Sequence, residues 1–478
     1  MKLKNLFKIS AITLALTMTV ACDSDDDDDQ CDVTPIPEGC AGFVEPKTQI
    51  EIDQEKLEAE YLAATGLTAD IEILTGTLTD DMTLTADKIY ALRGPVVVGN
   101  DNADNTILTI DPDVTIFGET GEDYLVVSCG SQIEANGTAA APITMTSKND
   151  VMGEAVGPGQ WGGVVLLGNA PSNKCPTDGS DCALQVEGAF EGAVFGGTNS
   201  EDNSGTLNYL VVKYAGFEIA VDNELNGITF GGVGSGTEVD YVQVHSNADD
   251  GVEFFGGTVN VKHLVLTSNL DDSVDWDNGY RGNMQFVLVK HDATGEANRG
   301  IEADNDGSTP DKTPMSNPTI ANMTIIGGSY TSDEKDSEGI YLREGTKASF
   351  YNVIVTNAAG ECLEVEGNSV SQGHLEDGGI NFHSSVIACD ENFKNGKLNE
   401  DGTDTHTITD LATWWTTSGT NELNSTAADM SAVLTGIFTK DTTVATKPDG
   451  AFFETTDFIG AVKNADSDWT AGWAVGLD

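Results

Sequence analysis

Residues 241 to 257 read YVQVHSNADDGVEFFGG, and residues 264 to 279 read LVLTSNLDDSVDWDNG. The two segments match at an offset of 22, with Ser246-Asn247 recurring as Ser268-Asn269. A third copy, FVLVKHDATGEANRGIEADNDG from Phe286, carries a small insertion before Gly300. Weaker copies start at Leu210 (LVVKYAGFEIAVDN), at Met323 (MTIIGG, resuming as GIYLREG) and at Val353 (VIVTNAAGECLEVEGN).

Each copy holds two short runs of alternating apolar and polar residues, rich in Val, Ile and Phe and broken by Gly, Asn and Asp, which is the period of strands. A repeat of about 22 residues is too long for hexapeptide coils and too short for propeller blades. One turn cannot bury its own apolar row. Turns stacked about 4.8 Å apart share a continuous core and pair every backbone ladder. The expected fold is all-β, a parallel β-helix over residues 70–395.

Working upstream, LTIDPDVTIFGETGEDYLVVSCGSQIEANGTAAAPITMTSKND at 108 to 150 and WGGVVLLGNAP at 161 to 171 resemble successive coils of the pectate-lyase-like β-helix superfamily. The resemblance spans roughly residues 70 to 395 and implies a right-handed parallel β-helix. It does not fix an activity, because the superfamily includes lyases, hydrolases, adhesins and proteins with no known reaction. Around this body, helix formers at 50–64 are expected to cover the N-terminal edge, within a cap of residues 49–69. The C-terminal cap, 396–478, is expected to hold helices near 408–416 and 427–438 and to pack Trp414, Trp415, Trp469 and Trp473 on the last coil. Polar insertions at 172–183, 305–318 and 328–338 should leave the coils as surface loops.

The chain begins with Lys2, Lys4 and Lys8 ahead of an apolar run that stops at Ala21-Cys22, the order of a signal peptide over residues 1–21. Leu16-Thr17-Met18-Thr19-Val20-Ala21-Cys22 resembles the bacterial lipobox, which implies that Cys22 carries the lipid and holds the protein in a bilayer. The following Asp23-Ser24-Asp25-Asp26-Asp27-Asp28-Asp29 repels itself and stays extended, so residues 22–48 read as a tether. An aspartate after the lipidated cysteine resembles an inner-membrane retention signal, and an acidic run there resembles a surface-export signal. The expected location is the outer membrane, facing outward.

Twenty-three Lys+Arg stand against 78 Asp+Glu, a formal charge of −55, which excludes nucleic acid as a partner and attracts divalent cations. Of eight cysteines, Cys22 is used by lipid. Cys31 with Cys40, Cys175 with Cys182, and Cys362 with Cys389 are expected disulfides suited to an oxidising space, leaving Cys129 over. Zinc spacing, with paired CxxC or CxxH, is absent.

Aligning the second strand of each copy gives Glu218, Glu253, Asp275, Glu302, Tyr341 and Glu364 at one position flanked by apolar residues. Flanks that point into the core put this row outside. Carboxylates in register repel, so a cation between them is favoured, and Asp249, Asp250, Asp271, Asp272, Asp277, Asp304 and Asp306 in the adjoining turns add hard oxygen ligands suited to calcium. Adjacent aspartates that cap their own turns are the alternative. Arg281, Arg299 and Arg343 follow the acidic strands. They would supply the base of a calcium-dependent polysaccharide lyase, and paired aspartates the acid and base of a glycoside hydrolase, but an arginine beside an acidic row is more commonly its salt-bridge partner. The expected function is non-catalytic: a lipoprotein binding calcium and an extracellular polysaccharide or envelope protein. An accessory lipoprotein of an outer-membrane transporter is the other non-enzymatic alternative. His245, His263 and His291 occupy no shared aligned position and form no metal set.

Overall fold

A computed structural model describes residues 47–176, 181–220, 223–332, 337–398, 406–418, 430–440 and 444–477. The signal-like segment, Cys22, the aspartate run, and Cys31 with Cys40 lie outside the described residues. Two units are distinguished, Met1–Glu51 and Ile52–Asp478, and every described strand belongs to the second.

Among the described residues 25 strands form one hydrogen-bonded sheet whose pairings are parallel, wound as a right-handed β-helix. The 22-residue repeat survives as register, with Val242 paired to Leu264 and Glu253 to Asp275. The insertion before Gly300 is absorbed outside the strands, so Asp275 still meets Glu302. Val252, Phe254, Val274, Trp276, Ile301, Ala303, Ile340 and Leu342 point inward and are buried. Core rings also repeat: Phe230, Phe254 and Tyr280 follow one another with centroids 4.9 and 4.4 Å apart. Each such pair adds roughly 0.5–1.5 kcal/mol beyond its buried area.

On another flank the coils bend at one left-handed residue each, namely Tyr209, Tyr241, His263, Phe286, Asn322 and Asn352, with φ from 44° at His263 to 62° at Phe286. That conformation costs a non-glycine residue about 1–2 kcal/mol, and stacking offsets it. The Tyr241 ring stacks on Tyr209 at 4.3 Å and on His263 at 4.2 Å between centroids, nearly parallel to both.

This aromatic strip corrects one expectation about the tail. Trp469 and Trp473 do not sit on the last coil; residues 444–477 double back along the flank and seal the strip. Trp473 meets Tyr209 and Tyr241 edge-on, and Trp469 meets His263 at 5.0 Å. Three side-chain amides hold the tail by both backbone groups of one residue: Asn352 on Thr446, Gln285 on Glu454, and Gln243 on Val475. Trp415 does close the last coil, buried against Phe382 and Phe393, from the helix Leu411–Thr417. The helix expected near 427–438 is shorter among the described residues, Met430–Val433, because Gly436 with φ 60° turns the chain into a hairpin of Leu434–Thr435 and Phe438–Thr439.

At the other end the helix Gln49–Thr65 packs Leu57 and Tyr61 against outward Ile71, Ile73, Ala91 and Phe117. It therefore lies beside the first coils, while Gln54 and Glu58 satisfy the carbonyl and N–H of Ile71 at the edge. Cys175–Cys182 and Cys362–Cys389 are disulfides. Cys129 is free and buried, its thiol pushed up to about 12 by burial, which makes it inert.

Candidate functional site

Outward side chains on one face of the solenoid stack into three columns. The middle column reads Val165, Thr229, Glu253, Asp275, Glu302, Tyr341, Glu364, Lys394, each in register with the next. Glu218 is not part of it. It lies on the exposed strand Glu218–Ala220, paired antiparallel with Asn223–Glu224 in a hairpin outside the main sheet. Thr229 takes its place, because the strand that enters the stack is Ile228–Gly231.

A second column runs along the start of the same strands as Asn226, Asp250, Asp272, Arg299, Glu338 and Glu361. Backbone bonds from Gly227 to Asp250 and from Gly251 to Asp272 carry the register there. The third column, two residues past the middle one, holds Gly231, Phe255 and Asp277, then Asp304 and Arg343.

The face changes character along the axis. Upstream its floor is apolar, where Val97, Val126 and Val165 are covered by Val186, Ala193 and Phe195 of a flap that includes the hairpin Leu184–Gln185 and Val194–Phe195. Beyond the flap two coils present Asp250 and Glu253, then Asp272, Asp275 and Asp277. Further on, the protein supplies its own cations. Arg299 contacts Asp272, Glu302 and Glu338 at 3.6, 2.8 and 3.2 Å. Arg343 pairs with Glu302 and, at 2.9 Å, with Asp304, and the two guanidinium groups flank the Tyr341 ring at 5.0 and 5.8 Å. Lys394 reaches Glu361 at 2.6 Å and Glu364 at 2.8 Å. Of the predicted ligands, Glu302 and Glu364 thus carry protein cations. Among the described residues none of Asp250, Glu253, Asp275 and Asp277 forms an ion pair with Lys, Arg or His.

Carboxylate oxygens of Asp250, Glu253 and Asp275 lie within 4.8 Å of one another, as do those of Asp249, Asp250 and Asp271. Two charges 4.8 Å apart repel by about 3 kcal/mol at an effective dielectric of 20. Burial, reinforced by the neighbouring carboxylates, holds Asp250, Glu253, Asp272, Asp275 and Asp277 well above the usual carboxylate range. Asp275 Oδ1 and Asp277 Oδ1 are buried and have no hydrogen-bond partner. Burial also works against the charge on Glu302, but its bond with Asp272 and the charges of Arg299 and Arg343 lower it overall. Such a patch either keeps protons or takes a dication.

Arg299 and Arg343 are salt-bridge partners of the acidic columns, whereas Arg281 forms no ion pair among the described residues. The histidines hold separate partners: His245 bonds Thr267, His263 bonds Asp240 and His291 bonds Ser337. Asn226, Glu338, Glu361 and Lys394 were not singled out by the sequence reading. The signal was present, since three residues before the aligned acid the copies carry Asp250, Asp272, Arg299, Glu338 and Glu361.

Neither curated proteins nor solved structures provide a match to the chain. The sequence model of a pectate-lyase like beta helix domain matches residues 76–474, from the first coils through the tail that seals the aromatic flank. With its stacked parallel coils and most of its length matched, the chain belongs to the pectate-lyase-like β-helix family.

Proposed function

We propose that this protein is a lipid-anchored envelope protein that binds calcium at the bare acidic patch and, with calcium in place, an extended polysaccharide along the face that carries the columns, without catalysis. The observation that carries this reading is the contrast along the columns. Asp250, Glu253 and Asp275 converge within 4.8 Å without a protein cation, whereas the later coils are neutralised by Arg299, Arg343 and Lys394. Calcium takes six to eight oxygens from flexible carboxylate sets, and several acids on adjacent coils suit it. A sugar polymer suits a long face of constant rise, and family membership supports a role toward polysaccharide at that level.

Arg299 and Arg343 are each committed to several carboxylates, which speaks against either serving as the proton-abstracting base of a lyase. Carboxylate oxygens of Asp272 and Glu302 lie within 4.8 Å, closer than the roughly 5–9 Å that glycosidase carboxyl pairs require. Anchoring rests on Cys22, and an oxidising space outside the cytoplasm is supported by the two disulfides. The test is retention on immobilised polyuronate. Retention in calcium with elution by chelator is expected. Equal retention in chelator would refute the calcium link, and release of unsaturated sugar ends would replace binding with lyase activity.

A further inference from the structure

Asn226 stands in the second column directly before Asp250, one coil upstream. Its side chain is only 4% exposed. The amide nitrogen donates to Glu253 Oε2 at 2.6 Å and to Thr229 Oγ1 at 3.2 Å, and Oδ1 is buried without a hydrogen-bond partner. An orphaned carbonyl oxygen at this depth costs free energy unless something outside the chain meets it. The same amide forms the upstream wall of the Asp250, Glu253 and Asp275 cluster. A half-turn about its last torsion exchanges oxygen and nitrogen with little change of shape, so either edge can face the acids.

We propose that Asn226 is a neutral oxygen ligand of the dication site, donating its N–H to Glu253 when the site holds no metal and turning its carbonyl to the metal when it does. This rests on the dication reading above. Bound through one oxygen each, three carboxylates supply three ligands for a cation that takes six to eight, and a neutral amide adds one without adding repulsion. The proposal also explains why an amide interrupts the column just where it becomes acidic. A carboxylate in that position would add another charge to a patch already crowded with them.

Terbium(III), a luminescent stand-in for calcium, tests this on the full chain, because lifetimes in light and heavy water count the water molecules on the ion. N226L should gain one bound water and weaken calcium competition about tenfold. N226D separates the two roles of the amide and covers failure of N226L to fold. A ligand oxygen predicts tighter calcium binding by N226D, whereas an amide that only donates to Glu253 predicts weaker binding, because the donor is lost. An N226L protein with wild-type water count and affinity, or an N226D protein that binds more weakly, overturns the assignment. If wild-type protein binds neither ion, or if E253Q and D275N leave binding intact, the dication reading itself fails.

Discussion

Replacing Asp275 by Asn should reverse its effect on stability according to whether calcium is present. Asp275 lies within 4.8 Å of Asp250 and Glu253, and also of Asp272 and Glu302, by their closest carboxylate oxygens. At an effective dielectric of 20 each ionised pair costs about 3 kcal/mol. Burial and the neighbouring carboxylates raise the proton affinities of these groups, which relieves part of this repulsion, so the net relief on removing one acid is about 1–3 kcal/mol. Asparagine keeps the volume and leaves the inward Val274 and Trp276 untouched. In chelator, therefore, D275N should melt above wild type. Calcium at a hundredfold excess over Kd adds about 2.7 kcal/mol to whatever binds it, and the order should invert when calcium is added, because the variant loses that gain. Circular dichroism melts in chelator, in calcium and in sodium chloride of equal ionic strength measure all three states, the last separating binding from screening. If D275N is destabilised equally in chelator and calcium, the side chain acts through packing. If sodium chloride reproduces the whole calcium shift, the patch is an ordinary solvated face.

Proton linkage gives a second expectation. Carboxyls raised in the folded state stabilise it below their unfolded values and lose that contribution as pH rises through the folded values; Glu364, at about 7, loses it between about 4.5 and 7. Metal-free protein should accordingly melt lower at pH 8 than at pH 5, and calcium should flatten the profile while releasing protons, measurable in buffers of differing ionisation enthalpy. K394M leaves Glu338, Glu361 and Glu364, whose oxygens lie within 4.8 Å, without their lysine. After allowance for screening of the partly exposed lysine, a loss of about 1–3 kcal/mol is expected, which calcium should partly restore; no change in melting would contradict the ion-pair role. C22S should move the protein from the membrane to the soluble fraction, and unchanged fractionation without acyl mass would refute the anchor.

Much of the fold was legible because one offset, 22, recurs in sequence and becomes register in space. The alternation Val252-Glu253-Phe254 and Val274-Asp275-Trp276 sorts inside from outside without further information. The Glu218 assignment failed because Phe217-Glu218-Ile219 copies that local pattern while belonging to a hairpin beside the stack. Alternation reports which side a residue faces, but it does not report which segment enters the coil. Trp469 and Trp473 were misplaced for a different reason. Their partners are selected by the left-handed bend that turns Tyr209, Tyr241 and His263 outward, and Gln243 meets Val475 across 232 residues. Asp250 and Asp272 do not cap their own turns: Asp250 accepts from the N–H of Asp272 one coil on, and Asp272 from that of Arg299.

Anomalous diffraction from crystals grown with calcium tests the assignment of the bare patch most directly. The predicted result is a peak about 2.3–2.6 Å from oxygens of Asp250, Glu253 and Asp275, with none beside Glu302 or Glu364, where Arg299, Arg343 and Lys394 already stand. An ordered patch without a peak at saturating calcium, or calcium bound only elsewhere on the molecule, would contradict it.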